Sequence, residues 1–192
     1  MFETINTNVN KTVAFLETEL ETFNNALQHK VIPKKTYLLR EGEICDFEAY
    51  ILKGCIRSYY IDENGSEVIL QFAIEDWWVS NIASFNDKKP SKIFIETLED
   101  CEVLLLSTAN KEILLDEVPK FEKVFRLMVQ KNLSATQNRL ITTIAKAAPE
   151  KYLDFMKQYP TISQRVAQHY IASYLGISAE FLSKIRTRLS KQ

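Results

Sequence analysis

With 192 residues, 46% of them hydrophobic and only four Gly and five Pro, the chain is long enough for one large or two small cores and too apolar for disorder. No apolar run reaches the length of a bilayer span, and the N-terminus lacks a basic-then-apolar leader, so a cytoplasmic protein without membrane contact is expected. The net charge of −1 hides an asymmetry: from Thr161 onward Arg165, Lys184, Arg186, Arg188 and Lys191 face the single acid Glu180, a local +4 that leaves −5 on the rest.

In chain order, residues 11–29 repeat Phe15, Leu16, Leu20, Phe23 and Leu27 at helical intervals and predict an amphipathic helix. After Pro33 short β-rich runs follow: Tyr37–Arg40, Glu48–Lys53, Cys55–Ile61, Glu67–Phe72, Lys92–Thr97 and Cys101–Leu106. Asn64-Gly65 marks a hairpin between two of them. Many short strands with polar turns imply a sandwich, jelly roll or barrel. The cysteines, Cys45, Cys55 and Cys101, are odd in number and widely spaced, so buried thiols are expected rather than a disulfide framework or an iron–sulfur site. No metal and no cofactor is expected.

Strand signals stop after Ser107. Lys111–Val118 predicts a short helix, Pro119 the first turn of another, and residues 121–148 a helix about 40 Å long with Pro149 at its end. Its apolar positions, among them Phe125, Met128, Leu133, Leu140 and Ile144, are too many for one seam; one side can cover the β domain and another a partner subunit. Gln137 interrupts the stripe. Residues 149–159 predict a further short helix.

Gln168–Arg188 reads as two short helices hinged at Gly176. Ala172 supplies a small residue where the second helix crosses the first, Gly176 tolerates positive φ, and Ser178 can cap the second helix. Leu182, Ile185 and Leu189 would pack inward, leaving Glu180, Ser183, Lys184 and Thr187 outward as a polar face suited to base edges in a major groove.

A β-roll, a long helix and a C-terminal helix-turn-helix, in this order and size, resemble the Crp/Fnr family of bacterial transcription regulators. Leu39-Arg-Glu-Gly-Glu, Ala49-Tyr-Ile-Leu-Lys-Gly-Cys-Ile-Arg, the Asn64-Gly65 hairpin and Ile171-Ala-Ser-Tyr-Leu-Gly-Ile-Ser carry the resemblance. It implies an α+β protein with a jelly-roll-like cyclic-nucleotide-binding-like sensor domain over residues 1–118, a connecting dimerisation helix over 119–148 and a helix-turn-helix domain over 149–192. It further implies a homodimer joined through Phe125, Met128, Leu133, Leu140 and Ile144 that binds double-stranded DNA and acts on transcription, with RNA polymerase as a partner. Family base-contacting positions fall on Ala179, Glu180 and Lys184, with Gln168 and His169 as phosphate contacts and Ser178, Ser183, Thr187 and Arg188 completing the DNA face. His169 as an ordinary surface histidine stays open. Ala179 departs from the basic residue of the best-known members.

Cyclic-nucleotide-binding members carry a Gly-Glu pair and a later Arg-Ser or Arg-Thr pair for the ribose and the cyclic phosphate. Alignment places Ser80-Asn81 and Ser91-Lys92 there, without carboxylate or guanidinium, so the usual binding of cyclic AMP is not expected. Trp78, Ser80, Asn81, Phe85, Ser91 and Lys92 remain the candidate lining of a pocket for an unknown small-molecule effector, or for none. The Fnr-type oxygen-sensing mode lacks its cysteine cluster. With Gln192 following the second helix closely, a one-sided wing or none is expected. An enzyme is not expected, since His29 and His169 are the only histidines and no phosphate loop or GxSxG turn is present. The alternative function is a ligand-sensing or protein-interaction module that does not bind DNA.

Overall fold

A computed structural model describes residues 1–190. Its elements run α1 (Glu3–Asn10), α2 (Glu17–Ala26), β1 (Leu27–Ile32), β2 (Tyr37–Leu39), β3 (Phe47–Lys53), β4 (Ile56–Ile61), β5 (Glu67–Ala73), β6 (Trp78–Val79), α3 (Ile82–Asp87), β7 (Phe94–Thr97), β8 (Cys101–Ser107), α4 (Thr108–Glu117), α5 (Lys120–Ala145), α6 (Ala148–Gln158), α7 (Ile162–Arg165), α8 (Gln168–Leu175) and α9 (Ala179–Leu189). The backbone separates into two compact units. One comprises Met1–Arg57 with Ala73–Asn132, the other Ser58–Phe72 with the chain from Leu133 onward.

The strands form two four-stranded sheets, β1-β8-β3-β6 and β2-β7-β4-β5. In the first, β8 pairs antiparallel with β1 from Leu27↔Leu106 to Ile32↔Cys101 and with β3 from Phe47↔Ser107 to Lys53↔Glu102. Ala49, Ile51, Ile56, Val79, Phe85, Ile95, Cys101 and Val103 fill the core of the roll. A second core lies on Tyr50, Leu104 and Leu106, against Ile5, Val9, Phe23, Leu114, Phe121, Val124 and Phe125 from the helices. Cys45, Cys55 and Cys101 are all buried.

The helix predicted over residues 11–29 is two helices and a strand. The first stops at Asn10, whose side chain accepts from the Phe15 amide at 3.0 Å, and the second restarts where Glu19 accepts from the Leu16 amide at 2.8 Å. The freed Phe15 ring stacks on Phe121, 4.3 Å between centroids. Residues from Leu27 onward, His29 included, join β8 as an edge strand whose interior positions are solvent-exposed, which is why no alternation announced it. Pro149 also has another role: α5 ends at Ala145, and the proline sits in the first turn of α6, where its missing N–H costs nothing.

The second unit is mainly helical. Phe72, Phe155 and Tyr174 form an aromatic cluster, with Phe155 and Phe72 lying 5.4 Å and 5.5 Å from Tyr174 between ring centroids. Ile162, Val166, Ile171, Ala172, Leu175, Leu182 and Ile185 are buried around α7, α8 and α9. No helix among the described residues is long and apolar enough to cross a membrane.

Candidate nucleic-acid interface

Gly176 terminates α8 in the left-handed region, φ 68°, and its amide donates to the Ser173 carbonyl at 3.1 Å. Ser178 then caps α9, its hydroxyl accepting from the Phe181 amide at 3.2 Å. Leu182 and Ile185 are buried, with 0% and 4% exposure, and Leu189 is half-buried. That leaves Ser178, Ala179, Glu180, Ser183, Lys184, Thr187 and Arg188 exposed, together with Gln168 and His169 on the first turn of α8. Glu180 in the first turn and Arg186 and Arg188 in the last both complement the helix dipole. Thr187 donates its hydroxyl to the Ser183 carbonyl at 3.0 Å, which leaves the oxygen's lone pairs able to accept from a ligand. The His169 ring lies 4.0 Å from that of Tyr170 between centroids, tilted by 53°. Between Pro160 and Ala167 the structure has the short helix α7, and none of residues 133–190 forms a strand.

Two contacts absent from the sequence reading hold α8 in place. Ser173 donates to the Glu67 carbonyl at 2.7 Å and accepts from the Ile69 amide at 3.0 Å, so it caps the backbone of β5. Arg139 donates to the carbonyls of Leu70, of Ile69 at 2.9 Å and of Tyr174 at 3.1 Å, and its guanidinium lies 3.9 Å over the Tyr174 ring. Burial draws the Arg139 pKa down, while the Tyr174 and Tyr159 phenols push it back up. An arginine placed next to Leu140 and Ile141 was the available sequence signal for this role.

Of the positions assigned to a partner subunit, Leu133, Leu140 and Ile144 are 57%, 58% and 76% exposed, and Ile141 beside them is 60% exposed. Phe125 does not belong to this set. It is buried in its own unit, edge-on to Trp78 at 6.3 Å and with the Lys111 ammonium 4.2 Å above its ring. Met128 is half-buried against the same core. The upper turns of α5 are used by the β-roll because Phe121, Val124 and Phe125 share one face.

The candidate effector segment is closed on itself. Asn81 caps α3 by accepting from the Ser84 amide at 3.3 Å and donates to the Ser91 hydroxyl at 2.8 Å; Ser91 donates onward to the Ile93 carbonyl at 2.8 Å. Ser84 donates to the Lys89 carbonyl at 2.6 Å and accepts from the Cys45 amide at 2.9 Å, and Ser80 donates to the Phe47 carbonyl at 2.8 Å. Phe85 packs into the roll's core rather than lining a pocket. Trp78 points elsewhere, against Tyr50 at 5.4 Å, and Lys92 is exposed. The structure thus brings Asn81 and Ser91 together, turns Trp78 toward Tyr50, and leaves Lys92 exposed beside Ser91.

Residues 29–117 match the model of the cyclic nucleotide-binding domain. The fumarate and nitrate reduction regulatory protein of Vibrio cholerae is 26% identical over 187 residues, covering 91% of this chain and 74% of that protein. The chain is thus similar to regulators of the Crp/Fnr type. Another relative is the cAMP-activated global transcriptional regulator CRP of Escherichia coli, 20% identical over 90% of this chain and 87% of that protein. Among solved structures, the c-di-GMP responsive global regulator CLP of Xanthomonas campestris shares the fold, with a TM-score of 0.74, 15% identity and 91% coverage of both chains.

Proposed function

We propose that this protein is a homodimeric, sequence-specific DNA-binding transcription regulator of the Crp/Fnr type, whose sensor domain does not take cyclic AMP in the usual mode. The observation that carries the reading is the helix pair around Gly176, with its inner residues buried and Glu180, Ser183, Lys184 and Arg188 exposed on one polar face. Two such helices, related by a two-fold axis and about 34 Å apart, would enter successive major grooves of a palindromic site. Glu180 would accept from a cytosine amino group and Lys184 reach a guanine or a phosphate. Gln168 and His169 would hold backbone phosphates, and RNA polymerase would be the partner through which binding affects transcription.

Against cyclic AMP stand the chemistry and the closure of the segment. The sequence alignment sets Ser80-Asn81 and Ser91-Lys92 against the family's Gly-Glu and Arg-Ser pairs, without carboxylate or guanidinium, and Asn81 donates to Ser91.

Selection from a random duplex library, followed by gel shift across a salt series, tests the DNA reading. A selected site whose affinity falls steeply with salt is expected, with Lys184→Ala lowering either the affinity or the preference at one base pair. Failure to select any duplex refutes it. For the sensor, calorimetry should show no submicromolar binding of cyclic AMP; such binding would refute that half of the proposal.

A further inference from the structure

We propose that Phe181 reads the 5-methyl group of a thymine in the DNA site, making it a specificity-determining residue of α9; the inference rests on the DNA-binding reading above.

Phe181 sits in the first turn of α9, and its amide is held by the Ser178 hydroxyl at 3.2 Å, so its position relative to the helix start is fixed. The side chain is 47% exposed although the same helix buries Leu182 and Ile185 almost completely. Among the described residues no ring contact engages it. A half-exposed phenyl ring costs free energy in water, and in this case its neighbours do not resemble an apolar protein-docking patch. One and two turns on, Lys184 and Arg188 stand on the same stripe, and Glu180, Ser183 and Thr187 are exposed beside them. An apolar ring flanked by cations, at the N-terminal end of the groove-entering helix, complements a polyanion that presents one apolar group. In the major groove that group is the thymine methyl; every other feature of the base edges is a donor, an acceptor or a C–H. The ring therefore favours thymine at the contacted position through its methyl group, a contact that the polar side chains of Glu180 and Lys184 do not supply.

Uracil keeps the pairing and the O4 acceptor of thymine and lacks only the methyl, so it isolates the contact. With the full-length chain and a selected duplex, each thymine is replaced in turn by uracil in both half-sites, and affinity is read by fluorescence anisotropy at fixed salt. Burying one methyl corresponds to about fourfold in affinity per half-site, about fifteenfold for both. One symmetric thymine position should show this loss in the unsubstituted protein. Phe181→Ala should bind the thymine duplex that much more weakly, make no distinction between thymine and uracil, and keep the same salt dependence. Phe181→Leu, which retains apolar volume at an exposed site, should keep part of the discrimination and decides the matter if the alanine variant fails to fold. Indifference to uracil at every position, an equal uracil penalty in Phe181→Ala and Phe181→Leu as in the unsubstituted protein, or a selected half-site without thymine overturns the inference while leaving the DNA reading intact. Failure to select any duplex overturns both.

Discussion

Replacing Leu140 and Ile144 together by Asp should convert the protein to a monomer. Leu133, Leu140, Ile141 and Ile144 are 57%, 58%, 60% and 76% exposed, so more than half of each side chain remains to be covered. At about 2 kcal/mol for complete burial of such a side chain, each contributes about 1.2 kcal/mol on association, and the double replacement removes about 5 kcal/mol from a two-fold dimer. The introduced carboxylates would also face their counterparts across the seam, which adds repulsion. The dissociation constant should therefore rise at least about a thousandfold. Sedimentation equilibrium across the nanomolar to micromolar range measures this, with Ala135→Asp, exposed on the opposite face of α5, as the charge control. Because both side chains already face solvent, the protomer's urea midpoint should hardly move. A double variant that dimerises as tightly as the unsubstituted protein would refute the placement of the interface.

Other perturbations probe the same architecture. Gln137→Leu, at the one polar position of the Leu133, Leu140, Ile144 stripe, should tighten the dimer by roughly tenfold while admitting more than one register, read by sedimentation and by the spread of spin-label distances across the seam. Arg139→Ala removes three carbonyl contacts and the stacking on Tyr174, and should lower the local stability of the α8 and Ile69 amides by about 2–3 kcal/mol in hydrogen exchange; a change below about 0.5 kcal/mol would show that water replaces the guanidinium at little cost. Gly54→Ala would place a Cβ 2.5 Å from the Cys101 sulfur and 2.9 Å from the Asp100 carbonyl at φ +106°, whereas Gly176→Ala at φ +68° meets nothing within 4 Å. Urea denaturation should accordingly show a loss of about 2–4 kcal/mol for the first and about 1 kcal/mol for the second, the left-handed penalty alone.

Strands β3 and β8 were legible as short runs rich in β-formers between turn signals, although β3, buried from Phe47 through Ile51, does not alternate. Strand β1 was not, since its exposed middle residues, Gln28 to Val31, carry no alternation, and β6 spans only Trp78 and Val79. The hinge at Gly176 and the cap at Ser178 were legible because turn chemistry is local. Phe125 was misassigned because periodicity gives the faces of α5 but not which element covers each face. Phe181 drew no assignment from the sequence for a related reason: an aromatic residue in an amphipathic helix reads as core, and only the structure shows it exposed.

The closure of the segment around α3 constrains any signal that would act through it. A ligand entering beside α3 would meet Phe85 in the core and hydroxyls and an amide already bonded within the segment. Each broken bond leaves a donor or acceptor that the ligand must satisfy in turn, so the exchange of polar contacts gains little net free energy, while displacing Phe85 costs about 2 kcal/mol or more of burial. A ligand shifts a conformational equilibrium only by its differential affinity for the two states. For this segment to act as a switch, the opened state must therefore provide contacts the closed one lacks, and the exposed ammonium of Lys92, next to Ser91, is one group that an anionic ligand could recruit on opening. A neutral ligand offering only hydrogen bonds would have no such compensation and would leave the closed state dominant.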